Sequence, residues 1–196
     1  MKIGIICECG PQGAETQVFP ELSSKLGYNH QFDFATMSDK ENLISGCGKA
    51  AAQLLASGSN RVGVIWDLKP AWPEKGGKLD CKKECKAILD ALALERVNIR
   101  KVKLICIDKE MDVWLLCDGR GLSSVLSRST HPVKIKDQKK PVSIHDPKGL
   151  LKKLFTMHGK PTYSDIVHAI QIVRALPDTN KLTRSQSFRR FHDFLK

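Results

Sequence analysis

The chain has 196 residues, of which 41% are hydrophobic and 27% charged, and this composition excludes wholesale disorder because it supplies a sizeable core. Lysine and arginine number 32 against 21 aspartates and glutamates, so the net charge is +11. This excess favours a nucleic-acid partner, although a solvated lysine-rich surface would also explain it. No apolar stretch could span a bilayer, and seven cysteines without a secretory leader predict reduced thiols in a cytoplasmic protein with no membrane partner.

Short apolar runs alternate with helical patterns through the first part of the chain. Strands are predicted over Lys2–Cys7, 28–35, 61–66 and 103–107. Apolar residues at helical spacing predict helices after residue 13 and over 41–56, 81–96 and 111–117. This alternating order predicts an α/β fold with a compact, mostly parallel, Rossmann-like sheet flanked by helices.

The pattern changes after Asp118. Residues 119–146 are predicted to be an irregular basic loop. Three further helices are predicted over Pro147–Met157, 164–176 and 185–195. The predicted organisation is therefore an α/β core at 1–118, with a basic loop and helical extension at 119–196 packed on it.

Acidic residues follow three of the predicted strands. Glu8 follows the first strand, Asp67 the third, and Asp108, Glu110 and Asp112 the fourth. Because the functional crevice of a parallel sheet lies at the carboxyl ends of its strands, we expect these side chains to converge there. Carboxylates suit Mg²⁺ or Mn²⁺, so the sequence predicts a metal site beside a polyanion-binding surface. The alternative is that these acids only form turns and cap helices.

Several segments together resemble the Toprim fold and, more narrowly, an uncharacterised bacterial family of stand-alone Toprim-like proteins. They are the acids Glu8 and Asp67 after their strands, Asp112-Val-Trp-Leu-Leu-Cys-Asp118, Asp146-Pro-Lys-Gly-Leu-Leu151 and Ser187-Phe-Arg-Arg-Phe191. In that family the matching segments are a Val-Glu-Gly-x-x-Glu loop, a strand ending in Asp-x-Asp, Glu-Ala-Trp-Leu-Leu-x-Asp, Asp-Pro-Lys-x-Leu-Leu and Ser-Phe-Arg-Arg-Phe. The resemblance covers nearly the whole chain.

The resemblance implies roles for individual residues. Glu8 matches the acid of the first loop, and Glu15 is implied as a second acid displaced by a longer loop. Asp67 matches the first acid of Asp-x-Asp, but Lys69 stands where the second acid belongs. Asp112 replaces the glutamate before Trp-Leu-Leu. The implied catalytic residues are Glu8, Asp67 and Asp112. The implied metal ligands are Glu8, Asp67, Glu110 and Asp112, since Lys69 removes one ligand and repels a cation.

The resemblance also implies an activity and partners. Toprim domains occur in topoisomerases, primases and nucleases, so a metal-dependent nuclease-type effector acting on DNA or tRNA is implied. An ABC-like ATPase in an anti-phage defence complex is the implied protein partner. Two alternatives stay open: a catalytically degenerate scaffold that binds nucleic acid or the ATPase, which Lys69 favours, and a metal-dependent phosphatase or nucleotide hydrolase. Formation of a homo-oligomer is also left open.

Basic side chains that could contact phosphate lie mainly in the second half of the chain. The predicted nucleic-acid contacts are Lys69, Lys148, Lys152, Arg189 and Arg190, with Lys134, Lys136, Lys139, Lys140, Lys153 and Arg184 as further candidates for a phosphate track. Arginine pairs bidentately with phosphate, which favours the two C-terminal arginines. For the lysines, a solvated helix face is the competing interpretation.

Three other patterns are weaker. Gly46-Cys47-Gly48-Lys49 lacks the residues of a phosphate loop and predicts a helix that packs closely. The Cys7/Cys9 and Cys81/Cys85 pairs match no common zinc spacing and predict ordinary thiols. His145, beside Asp146, is the one histidine that we would test as catalytic.

Overall fold

A sheet of four parallel strands forms the centre of the computed structural model, which describes residues 1–73 and 77–196. The strands are β1 (Lys2–Cys7), β2 (Gln31–Thr36), β3 (Arg61–Asp67) and β4 (Val102–Ile107), and their order across the sheet is β2-β1-β3-β4. The two central strands, β1 and β3, are buried along nearly their whole length, as their continuous apolar runs require. The predicted parallel α/β sheet is confirmed.

Helices cover both faces of this sheet. They are α1 (Ala14–Lys25), α2 (Lys40–Ala56), α3 (Cys81–Leu94), α4 (Asp112–Leu116), α5 (Gly119–Leu126), α6 (Pro147–Met157), α7 (Ile170–Ala175) and α8 (Gln186–Leu195). Side chains alternate along each strand, so β1 presents Ile3 and Ile5 to one core and Ile6 to the other. Helices α2 and α3 form the smaller core, whereas α1 and the helices after β4 form the larger one.

The last helix, α8, belongs to the larger core. Phe188, Phe191 and Phe194 are all buried. The Phe191 ring lies 5.1 Å from that of Phe19, and the Trp114 ring lies 5.4 Å from that of Phe188. These phenylalanines pack the protein interior, and they leave no exposed surface on which nucleic-acid bases could stack.

Two segments differ from the prediction. Residues 119–146 are not wholly irregular, because α5 forms at their start, where the Asp118 side chain accepts the Arg120 N–H at 2.9 Å and caps the helix. This helix is not predicted from the sequence because Gly119 and Gly121 have low helix propensity. The single helix predicted over 164–176 is instead a π-helical turn, Asp165–Ala169, followed by α7. Residues 74–76, in the glycine- and proline-rich loop that follows the third strand, lie outside the described residues.

Gly48 permits the close packing of α2 against α3, as the sequence predicts. A Cβ atom at Gly48 would lie 2.2 Å from the backbone oxygen of Ala91. Gly48→Ala is therefore expected to lower the free energy of unfolding by roughly 1–3 kcal/mol, since the clash exceeds the gain in helix propensity. The measurement is urea denaturation followed by circular dichroism.

Gly46→Ala, in the same helix, is the matched control. Its added methyl group meets only the end of the flexible Met37 side chain, so we expect a neutral or slightly stabilising change of at most about 1 kcal/mol. Equal unfolding midpoints for the two variants would show that Gly48 does not set the approach of the helices.

Candidate functional site at the carboxyl ends of the strands

Glu8 and Asp67 lie side by side at the carboxyl ends of the two central strands. Glu8 directly follows β1, and Asp67 is the last residue of β3. The parallel pairing of Cys7 with Ile65 brings these ends to the same edge of the sheet. There the Glu8 carboxylate accepts the backbone N–H of Asp67 at 3.0 Å. The two residues are therefore neighbours, and their contact joins a carboxylate to a backbone N–H.

Three other predicted acids, Glu15, Glu110 and Asp112, lie close enough to influence this pair, whereas Asp108 lies beside Arg190 instead. Burial raises the pKa of Asp67 well above its ordinary value, and the carboxylates of Glu8, Glu15, Asp112 and Glu110 raise it further. These five residues are called the acid cluster below. Burial is the main cause of the raised pKa of Asp67, and the neighbouring carboxylates add to it because like charges disfavour its ionised form. Such perturbed groups are typical of functional sites.

The pKa of Glu8 is also raised, to about 7, mainly because burial disfavours its charged form. Lys40 opposes this rise. The Lys40 side chain is buried and donates to the backbone oxygens of Leu68 and Pro70 in the loop after β3. It also contacts the buried Glu84 carboxylate at 3.3 Å. Neither Lys40 nor Glu84 is predicted from the sequence, because both lie far from Glu8 along the chain and approach it only in the folded protein.

Glu8 also opens onto a cavity. This cavity has a volume of about 350 Å³, and its walls include Asp39, Lys40, Trp72 and Pro73. The Glu8 side chain can therefore meet a small group that enters from solvent, although most of its surface is covered.

Asp112 begins α4 and is buried. The Tyr163 hydroxyl donates to its carboxylate at 2.5 Å. Burial raises the pKa of Asp112 to about 6, while the Tyr163 hydrogen bond and the nearby Lys148 oppose the rise. Lys148, a predicted nucleic-acid contact, forms an ion pair with Asp165 at 2.6 Å. Tyr163 was not predicted, because 51 residues separate it from Asp112.

Lys69 lies among acids, as its position in the sequence suggested. Its ammonium group is 3.6 Å from one carboxylate oxygen of Glu110 and 3.9 Å from Asp146. The second carboxylate oxygen of Glu110 is buried and has no hydrogen-bond partner within residues 1–73 and 77–196. Lys69 and His145 also line a separate cavity of about 350 Å³. Lys69 therefore partly neutralises one member of the acid cluster.

The remaining predicted phosphate contacts lie in different surroundings. Arg190 is half-buried at the end of β4, where it donates to the Cys106 carbonyl at 2.6 Å and lies 3.7 Å from Asp108. Lys152 and Arg189 are exposed on α6 and α8. No ion pair joins either of these two to another residue in the described parts of the chain.

The predicted metal ligands do not form a ready-made shell. Among the described residues, no group of three or more His, Cys, Asp or Glu side chains could hold a metal ion. The donor chemistry nevertheless fits Mg²⁺ or Mn²⁺. Mg²⁺ is commonly held by one or two carboxylates, with water and substrate phosphates at its other positions. Glu8 and Asp67 could supply that pair of carboxylates. Glu110 could add a ligand, since one of its carboxylate oxygens has no hydrogen-bond partner among the described residues.

Comparisons with protein-family models, with curated proteins and with solved structures give no match. The resemblance to Toprim-like proteins therefore stays a prediction. Among the helices of the described residues, none has the length and apolar character needed to cross a membrane.

The raised pKa values predict how stability depends on pH. In the folded protein the pKa values of Glu8 and Asp112 are about 7 and about 6, against ordinary values of 4.5 and 3.8. Protonation of these groups therefore favours the folded state, a contribution that is complete below about pH 4 and is lost as the pH rises through about 7. We expect the acid cluster to cost roughly 1–3 kcal/mol of unfolding free energy between about pH 5 and pH 7.5.

Urea denaturation at a series of pH values measures this cost. Glu8→Gln should reduce the decline and should raise stability near pH 7.5. Asp90→Asn, at an exposed position on α3, is the control and should leave the pH profile unchanged. Identical profiles for wild type and Glu8→Gln would refute the assignment of the decline to Glu8.

Proposed function

We propose that this chain is a divalent-metal-dependent, nuclease-type phosphodiesterase whose site is the acid cluster. One observation carries the proposal: Glu8 and Asp67 lie together at the carboxyl ends of two neighbouring parallel strands, where burial and then the charges of Glu8, Glu15, Asp112 and Glu110 raise the pKa of Asp67. A cation would relieve that repulsion. Carboxylate oxygens with this electrostatic surplus are suited to Mg²⁺ or Mn²⁺ rather than to a soft metal.

Each residue of the site has a chemical role in this proposal. A bound divalent ion would supply neutralisation of the phosphate charge and a lower pKa for an attacking water. Glu8 and Asp67 would hold the ion. In the metal-free protein the pKa of Glu8 is about 7, so binding of the ion near neutral pH would release a proton from Glu8. Tyr163 fixes the orientation of the Asp112 carboxylate through its hydrogen bond. Lys69 is close enough to the cluster to exchange its contact with Glu110 for a substrate phosphate.

The substrate class follows from charge. With a net charge of +11, the chain favours an anionic polymer, and DNA or tRNA are the proposed substrates. Association with an ABC-like ATPase in an anti-phage complex belongs to the same proposal, and only the family resemblance supports it.

A second candidate function is a catalytically degenerate scaffold that binds nucleic acid or the ATPase. Two observations favour it. Lys69 is paired with Glu110 at 3.6 Å, so a positive charge already occupies part of the cluster. In addition, the described residues contain no ready-made group of three metal ligands. The nuclease and the scaffold differ in whether turnover accompanies binding.

Cleavage assays separate these candidates. The purified protein, alone and with any co-encoded ATPase, is incubated with single-stranded DNA, duplex DNA, tRNA and mononucleotides in Mg²⁺ or Mn²⁺. We expect cleavage of a polynucleotide, and Glu8→Gln or Asp67→Asn should reduce its rate by roughly a hundredfold or more because each removes a charged metal ligand. Asp90→Asn should cleave like wild type.

Each other outcome has a defined meaning. Binding of DNA or tRNA without turnover in any arm would replace the nuclease by the scaffold. Phosphate release from mononucleotides alone would indicate a phosphatase or nucleotide hydrolase, the third function that the sequence left open.

Lys69 gives a separate test that does not depend on turnover. Lys69→Gln removes a positive charge from the acid cluster, so the Mg²⁺ concentration that half-saturates the site should fall roughly two- to fivefold, in keeping with the strength of a partly exposed charge pair. The readout is the rise of Tm with added Mg²⁺, which reports binding to the folded state. Lys49→Gln, at an exposed position on α2, is the matched control. If the dependence of Tm on Mg²⁺ concentration is the same in Lys69→Gln as in wild type, Lys69 does not belong to the metal site.

A further inference from the structure

A second concentration of charge, positive this time, lies outside the acid cluster. Helix α5 and the extended segment 133–139 enclose a groove with a volume of about 630 Å³. Its cationic lining residues are Arg120, Lys134, Lys136, Lys139 and Lys181. We call this feature the lysine groove.

The backbone of the extended segment is held in place by serine hydroxyls of α5 and of the residue that follows it. The backbone N–H of Val133 donates to the Ser127 hydroxyl at 2.8 Å, and that of Ile135 donates to the Ser123 hydroxyl at 2.9 Å. Because alternate residues are anchored there, the side chains between them point the other way, as in an extended chain.

This alternation sorts the side chains of the segment. Val133 and Ile135 are half-buried against the larger core, whereas Lys134 and Lys136 are exposed. Two residues of extended chain place these lysines about 6.6 Å apart along the segment. The result is a row of ammonium groups along an apolar floor.

The acidic side chains near the groove already form ion pairs with lysine and arginine side chains of the same chain. Asp137 contacts Lys181 at 2.8 Å and Arg184 at 3.2 Å, and the hydrogen bond from Lys181 is the main reason that the pKa of Asp137 is lowered to about 2. Buried Asp118 forms an ion pair with Arg120 at 2.5 Å.

The three exposed lysines of the groove have no such partner. Lys134, Lys136 and Lys139 form no ion pair with any residue in 1–73 or 77–196. Their charge is therefore available to an anion from outside the chain.

We propose that the lysine groove binds the sugar-phosphate backbone of a nucleic-acid strand. A row of lysines can neutralise successive phosphates by charge alone. None of the described residues that line the groove is aromatic, so it offers no surface for base stacking and should not read sequence.

The segment that lines the groove is attached to α4, the helix that begins at Asp112. The backbone N–H of Gln138 donates to the Leu116 carbonyl at 3.1 Å, which attaches the extended segment to the end of α4. Asp112 begins the same helix, and five residues of α-helix span only about 7.5 Å. The inference builds on the proposed function by giving its substrate a second contact.

Binding without cleavage tests this inference. The affinity for a fluorescein-labelled single-stranded DNA of 20 nucleotides is measured by anisotropy in EDTA, over a range of salt concentrations. Changing Lys134, Lys136 and Lys139 together to glutamine should weaken binding roughly ten- to a hundredfold near 0.1 M salt. It should also reduce the slope of log K against log salt by about 2, since each phosphate contact on a single strand contributes about 0.7. The matched control changes Lys82, Lys83 and Lys86, three exposed lysines of α3, in the same way.

The outcomes are distinct from those of the nuclease test. Equal weakening by the groove and control variants would overturn the proposal, because it would show a response to net charge only. Binding of polyglutamate as tight as that of DNA, and equally sensitive to the groove variant, would also overturn it. If the groove variant loses DNA binding and no substrate is cleaved, the groove proposal is supported and the nuclease proposal is refuted. If the groove variant still cleaves and its affinity is unchanged, the nuclease proposal is supported and the groove proposal is refuted.

Discussion

The parallel pairing of β1 with β3 is the constraint on which the candidate site depends. It brings the residues after Cys7 and Ile65 to one edge of the sheet, where the Glu8 carboxylate accepts the backbone N–H of Asp67. A shift of this register would separate the two acids and turn every buried side chain of one strand to the opposite face. The packing of the cores on both faces therefore holds the two strands in this register and keeps the two acids together.

The acid cluster is unfavourable for folding, and the rest of the structure offsets it. Burial removes hydration from Glu8, Asp67 and Asp112, and their surroundings do not fully replace it, which explains the raised pKa of each. Compensation comes from packing, most visibly from Trp114, which touches Phe19, Phe188 and Phe191. Retention of locally unfavourable charge within a well-packed domain is what functional sites require.

Most of the fold could be predicted from local sequence patterns. The features that were not predicted depend on contacts between residues that are far apart in the sequence. Continuous apolar runs were enough to predict the strands, and acids at their ends were enough to predict where Glu8 and Asp67 would meet. Helix α5 was not predicted because its Gly119 has low helix propensity. The glycine is needed at this position because it allows close approach to the Ile135 backbone. Tyr163 and Glu84 act on the site across the fold, so no spacing in the sequence could connect them to Asp112 or Glu8.

The position of α8 has a consequence for how the protein is made. Phe191 completes a core that begins with Phe19, and the Phe194 ring lies beneath Gly63 and beside the Arg61 guanidinium. Helix α1 and the helices between β4 and α8 can cover part of that face earlier in synthesis, but the area that α8 covers stays exposed until translation has passed residue 194. The nascent chain must therefore carry an exposed apolar surface for most of its synthesis, and such a surface invites chaperone binding.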